Sequence, residues 1–199
     1  MNRPTIVLAS TSRYRRELLA RLRIAFDIEA PRVDEAPHAG EAPRETALRL
    51  AIAKAQEVQS RCPGAVVIGS DQVAEIAGAP LGKPMSHSAA LAQLERMQGQ
   101  TVVFHTALAV AGPGRDALQV DSVPTTVLMR TLPRAALERY LRLDEPYDCA
   151  GAAKIESLGI ALVASVESND PTALIGLPLI RLTAMLSHAG IEILSRTEP

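Results

Sequence analysis

An apolar strand that passes through three hydroxyl residues straight into an arginine-rich helix start is the feature that most constrains this chain: Ile6 to Leu19 reads IVLASTSRYRRELL. A junction of that kind belongs to an α/β arrangement, and it is an anion site in the making. Ser10, Thr11 and Ser12 can hydrogen-bond oxyanions, and the first helical turn presents unpaired backbone N–H groups. Arg13, Arg15 and Arg16 add positive charge where the helix dipole is already positive. Each such arginine works against the dipole by ~0.3 to 1 kcal/mol at an exposed end, so three within four residues imply a negative partner opposite.

The rest of the chain continues the alternation. Thr5 to Ala9 and Phe26 to Glu29 read as strands on either side of a helix over Arg13 to Leu22. After a loop rich in Pro, Gly and Glu, Pro43 opens a helix to about Arg61, which Pro63-Gly64 stops before the apolar strand Val66 to Ser70. Gly78 to Pro84 reads as a loop, and Ser86 as the cap of a helix reaching Gln98. Thr101 to Val110 is a long strand, Gly112-Pro113-Gly114 a turn, and Ala117 to Met129 a second strand that could close a hairpin. A helix over Pro133 to Leu143, a strand over Gly159 to Val166 and a helix over Pro178 to His188, closed by Gly190, complete the pattern. An α/β domain with a mixed sheet is expected.

The charge is local. A net charge of -1 over 199 residues argues against the sustained basic surface that duplex nucleic acid or an anionic membrane demands, whereas Arg-rich residues 13 to 23 stand close to Asp34, Glu35, Glu41 and Glu45. Cys62 and Cys149 are far apart and in no metal-ligand spacing, so neither a disulfide scaffold nor a zinc site is indicated and a reducing cytoplasm fits. No apolar run is long enough for a signal peptide core or a membrane span.

Two strands end alike, IVLAS at Ser10 and VVIGSDQ at Asp71, and ligands of α/β sheets collect at the carboxyl ends of strands, so both endings are expected to face one crevice. Asp71 either offers a carboxylate to that crevice or merely starts a turn. On the preceding helix Ala47, Leu50, Ala51, Lys54 and Val58 share one face, so Lys54 needs an anion partner there or a snorkelling route to water. Lys83, in a loop shaped by Pro and Gly, is a further phosphate contact to consider. The segment is no P-loop: its glycine spacing is wrong and no Ser or Thr follows the lysine. With no GxGxxG, HExxH or GxSxG, and with four scattered histidines, phosphate chemistry by positioning, carboxylates and a hard metal remains.

LASTSRYRRELL, VDE at Val33 to Glu35, AxxKA at Ala51 to Ala55, IGSDQV at Ile68 to Val73, GKP at Gly82 to Pro84, and YDCAGAAKIESLG followed by GLPL together resemble the Maf family of nucleotide pyrophosphatases. The resemblance runs from Ile6 to about Gly190 and covers a single Maf-like domain. It implies an inosine-triphosphatase-like fold with an elongated mixed sheet, flanking helices and two lobes around a cleft. It also implies a divalent metal, Mg²⁺ or Mn²⁺, hydrolysis of nucleoside triphosphates to monophosphate and diphosphate, and a homodimer. On this chain Asp71 matches the catalytic base, Glu35 with Asp71 the metal-side carboxylates, and Ser10, Arg15, Lys54 and Lys83 the phosphate-binding positions.

Three family positions that vary with substrate are Tyr14, Gln72 and Glu156 here. They resemble the subgroup acting on 7-methyl-GTP, in which an aromatic, a Gln and a Glu stand at these places; the subgroup acting on dTTP and UTP carries Arg, Thr and Gln. N7-methylation makes guanine cationic, so an aromatic face attracts it, and a Glu accepts from the guanine N1–H and N2–H donors. Tyr14 also fits a core stripe with Leu18 and Leu22, and Glu156 beside Lys154 also fits a surface ion pair. The chain departs from the family at Arg13, where proline is usual, which relaxes the helix entry ahead of Tyr14. A dTTP/UTP pyrophosphatase of the same fold, and a nucleotide-binding regulator of cell division, are the alternatives.

Overall fold

The computed structural model describes residues 4–113 and 118–194. Among these the order is β1 (Ile6–Ala9), α1 (Arg13–Ala20), β2 (Asp27–Glu29), α2 (Pro43–Arg61), β3 (Val66–Ile76), β4 (Ala79–Leu81), α3 (His87–Met97), β5 (Thr101–Ala111), β6 (Leu118–Met129), α4 (Arg134–Asp144), β7 (Val163–Ser168) and α5 (Leu179–His188). The strands form one mixed sheet in the order β2-β1-β3-β5-β6-β7, with β4 paired to β3. β1 runs parallel to β2 and β3, whereas β4 is antiparallel to β3 and β7 to β6. The chain divides into two compact units, one from the described parts of Met1–Gln72, Thr106–Val123 and Asp170–Pro199, the other from Val73–His105 and Pro124–Asn169.

The first unit is layered by strand alternation. Ile6, Leu8, Val66 and Ile68 turn to one face of the sheet and are buried with Leu18 and Leu19 of α1 and Leu182, Met185 and Leu186 of α5. Val7, Ala9 and Val67 turn to the other face and pack with Val58 of α2. Burying each large aliphatic side chain stabilises the fold by about 1.5 to 3 kcal/mol, which is what holds these two layers on the sheet. In the second unit Ser86 caps α3 by accepting from the Ala89 N–H at 3.3 Å, and Leu91, Leu94, Met97, Leu137, Tyr140 and Leu141 are buried.

The predicted elements are found, with four local differences. β3 does not stop at Ser70 but continues to Ile76, so Asp71 lies inside a strand and neither ends it nor starts a turn. The reason is the hairpin partner: Ala79–Leu81, expected as loop, pairs with Ala74–Ile76 through a turn in which Ala77 and Gly78 both have positive φ. The strand expected from Gly159 begins only at Val163, because Leu158–Leu162 coils into a 3₁₀ turn. α1 ends at Ala20 rather than Leu22. Gly114 and Ala117, on the far side of the predicted turn between β5 and β6, lie outside the described residues. No helix of the described residues is long and apolar enough to cross a membrane.

Candidate active site

The alternation of β3 builds the site. Gly69 and Asp71 share the face against α2, and Ser70 and Gln72 share the opposite face. α2 comes unusually close at Gly69: a Cβ there would lie 2.3 Å from the Ala51 carbonyl oxygen and 2.7 Å from the Ala55 nitrogen. Only glycine permits this approach, and it sets Lys54, one turn along the same helix, directly over Asp71.

Lys54 is 5% exposed and Asp71 8%, and the Lys54 Nζ donates to Asp71 Oδ1 at 2.6 Å. The same Nζ pairs with Glu35 Oε1 at 2.7 Å. Of the two sequence alternatives for Lys54, the anion partner is the one realised, since burial of an unpaired ammonium is costly. Glu35 is largely exposed and comes from a loop without regular structure, yet it is aimed inward. That loop is strapped to α2 by Arg49, which binds Glu41 through two nitrogens at 2.6 and 2.8 Å and the Ala36 carbonyl at 3.1 Å. The Arg49 hydrogen bond holds the Glu41 carboxyl down at about 2.

On α1, Ser12 is the N-cap and accepts from the Arg15 N–H at 3.4 Å, while buried Ser10 accepts from the Ser12 N–H at 3.1 Å. These hydroxyls set the helix entry ahead of Arg13. Arg13 lies with its guanidinium carbon 4.7 Å from the Tyr14 ring centroid and donates to the Tyr14 hydroxyl at 3.0 Å, so the departing residue grips the aromatic one. Tyr14 is half-buried and does not complete the buried stripe of Leu18. Arg15 donates through Nε to the Gly176 carbonyl at 2.9 Å. Burial pushes its guanidinium below the ordinary value, and the nearby carboxylates of Asp71 and Glu35 work in the other direction.

The opposite face of β3 is scaffolding. Ser70 Oγ reaches the Ala107 carbonyl at 2.8 Å and the Gly176 carbonyl at 3.0 Å. Gln72 Nε2 lies 2.9 Å from Thr106 Oγ1 and about equally far, 3.1 Å, from the carbonyls of Ala173 and Leu174. Carbonyls accept only, so the amide nitrogen must face them, and Gln72 is left with its oxygen for any ligand. Asp170, 2% exposed, accepts from the Ile180 and Arg181 N–H groups at 2.7 and 3.2 Å and so caps α5. Sequence reasoning missed Ser70, Arg49, Glu41 and Asp170; Asp-Pro-Thr ahead of the terminal helix was a readable capping signal for the last.

A family described as Maf-like protein matches residues 5–189 of this chain. The chain belongs to the Maf family. It is 55% identical over 192 residues to a protein of Thiobacillus denitrificans, covering 96% of each. Identity is 51% to a protein of Methylobacillus flagellatus, covering 96% of this chain and 100% of the relative, and 54% to one of Cupriavidus metallidurans, covering 94% of each. All three relatives are named 7-methyl-GTP pyrophosphatase.

Of the Maf positions expected from the sequence, Ser10, Tyr14, Arg15, Glu35, Lys54, Asp71 and Gln72 belong to the first unit, and Lys83 and Glu156 to the second, where both are exposed. The structure joins Lys54, Asp71 and Glu35 directly and brings Arg15 within their electrostatic reach. Lys54, expected at the phosphates, has its ammonium paired with both carboxylates. Among the described residues no group of three or more His, Cys, Asp and Glu side chains could hold a metal by itself. Glu35 and Asp71 nevertheless suit a hard cation of the Mg²⁺ type, which is commonly held by one or two carboxylates while substrate phosphates fill its remaining positions. Both carboxylates already converge on a single positive charge, the Lys54 Nζ.

Proposed function

We propose that this chain hydrolyses 7-methyl-GTP to 7-methyl-GMP and diphosphate, clearing the modified nucleotide from the cytoplasmic pool. The observation that carries the chemistry is the buried Asp71 carboxylate, oriented by Lys54 at one oxygen and left with the other to accept a proton. Water attacks the α-phosphorus, its proton passes to Asp71, and the α–β anhydride bond breaks with the electron pair leaving on diphosphate. A well-placed general base contributes typically ~10² to 10⁴ in rate. Arg15, with Ser10 and the capped start of α1, binds phosphate oxygens, and Lys83 serves them as a further cation. Glu35 and Asp71 would hold a divalent cation, Mg²⁺ or Mn²⁺, which when bound would supply positive charge to the phosphate oxygens and make water more acidic.

The base is read by Tyr14, Gln72 and Glu156. A methylated, cationic guanine has the same claim on the Tyr14 ring as the Arg13 guanidinium that now lies over it. Glu156 accepts from the guanine edge, as the Gln72 oxygen can. The names of the three relatives, which are collinear with nearly the whole chain, support this substrate over dTTP or UTP. Free Cys62 and Cys149 suit a reducing compartment. The test is diphosphate release from 7-methyl-GTP, GTP, dTTP and UTP, each with Mg²⁺, Mn²⁺ or EDTA. The fastest turnover is expected on 7-methyl-GTP with metal; a preference for dTTP or UTP, or full turnover in EDTA, would overturn the assignment.

A further inference from the structure

The turn that carries Glu156 rests on a buried hydroxyl. Tyr140 on α4 is 3% exposed, and its OH donates to the Ala152 carbonyl at 3.0 Å while accepting from the Lys154 N–H at 3.0 Å. Gly151 and Ala152 both take left-handed conformations, φ 69° and 53°, a bend that for alanine must be enforced by its surroundings. Beyond it the Lys154 carbonyl accepts from the Ser157 N–H at 3.0 Å and from the Gly159 N–H at 3.1 Å. A Cβ on Gly159 would lie 2.5 Å from that carbonyl oxygen, so the closure admits no side chain there. Ser157 Oγ donates to Asp144 Oδ1 at 2.6 Å, and Lys154 Nζ reaches the Asp144 carbonyl at 3.4 Å. Glu156 therefore sits on a loop pinned at Ala152, Lys154 and Ser157, with both anchors, Tyr140 and Asp144, one turn apart on α4.

We propose that Tyr140 is a positioning residue for base selection, its hydroxyl fixing the turn that presents Glu156 to the nucleotide. This rests on Glu156 reading the base. A carboxylate that must meet two donors of a guanine edge gains from such a support, because an exposed side chain on a loose loop gives back its hydrogen-bond energy as lost conformational freedom. Burial pushes the Tyr140 phenol well above its ordinary value, so the hydroxyl stays protonated and keeps donating throughout the working pH range. Tyr140→Phe removes that one oxygen and keeps the packed ring.

The test compares the wild-type protein with Y140F, E156Q and the double variant, measuring kcat and KM for diphosphate release from 7-methyl-GTP and from UTP. Y140F is expected to lower kcat/KM for 7-methyl-GTP roughly tenfold, mostly through KM, while UTP changes less than about threefold. In the E156Q background the same change should cost less than about twofold, since the turn then has no carboxylate to aim. Equal losses on both nucleotides, or an undiminished effect of Y140F alongside E156Q, would overturn the proposal and leave the base assignment standing. An E156Q protein with unchanged preference would instead sink the base assignment, and Tyr140's role with it. Should Y140F not fold, S157A, which cuts the Asp144 anchor, carries the same expectation and the same refutation.

Discussion

The two faces of β3, one residue out of step with each other, are built by opposite rules. The face of Gly69 and Asp71 concentrates charge: Asp71, Lys54 and Glu35 lie within 2.7 Å contacts of one another through a single ammonium. The face of Ser70 and Gln72 holds no charge, and its donors end on the Thr106 hydroxyl and on backbone carbonyls of Ala107, Ala173, Leu174 and Gly176. In the proposed reaction the groups of the charged face would exchange partners with a polyanion and a cation. The neutral face is cross-linked, its carbonyls shared among several donors: Ala173 also accepts from the Gly176 N–H and the Thr106 hydroxyl, and Gly176 from Arg15. The Gly176 carbonyl accepts from both Ser70 and Arg15.

Four measurements would break or sharpen this division. Asp71→Asn should have the largest effect, lowering kcat by ~10² to 10⁴ while nucleotide binding, followed by calorimetry, remains within reach of the wild type. Comparable turnover in D71N would remove Asp71 from the chemistry, and nucleotide binding without turnover in the wild type would favour a binding protein over an enzyme. Gly69→Ala comes next: the added methyl meets α2 backbone, so about 1 to 3 kcal/mol of stability should go, together with much of the activity as Lys54 shifts from Asp71. Unfolding that matches the wild type would mean α2 yields without cost. Ser70→Ala, on the neutral face, should cost about 1 to 3 kcal/mol by removing the one hydroxyl donor shared by the Ala107 and Gly176 carbonyls, read as a lowered Tm, with kcat nearly unchanged. A large fall in kcat at normal Tm would show that the two faces are not separable.

The smallest effect concerns the strap. The folded Glu41 carboxyl lies at about 2, below its unfolded 4.5, so its contribution is complete above 4.5 and is lost as pH falls from 4.5 toward 2. Thermal unfolding between pH 6 and 2.5 should therefore show a shallower acid loss in E41Q than in the wild type, and parallel curves would exclude the Arg49–Glu41 pair as a source of acid sensitivity.

Much of this was legible in the residues themselves. Pro43 and Arg61 bound α2 as the sequence reading has them, and the apolar stripe around Lys54 signalled a lysine turned inward. What periodicity could not supply was the partner. Asp71 followed an apolar run that looked finished at Ser70, because Ser, Asp and Gln resemble a strand's end; only pairing with Ala79–Leu81, seven residues and a tight turn away, shows that the strand goes on. The neutral face was invisible for a related reason, since most acceptors of Ser70 and Gln72 are backbone carbonyls, at Ala107 and then at Ala173, Leu174 and Gly176, and a carbonyl leaves no mark in a sequence. Tyr140 was hidden likewise: on helical spacing it reads as core, and its hydroxyl acquires meaning only through Ala152 and Lys154.

Helical phase turns α2 into a gauge for the whole loop before it. Arg49 takes hold of the loop at Ala36 and Glu41, Lys54 at Glu35, and Glu57 accepts from the Arg32 N–H at 3.0 Å, so three successive grips lie along one rod. One residue inserted between Arg49 and Lys54 would rotate every later grip by about 100°. Lengthening the loop itself would leave the grips in register and cost little. Natural variation in this stretch should therefore accumulate as insertions ahead of Pro43, and hardly ever within the helix that follows.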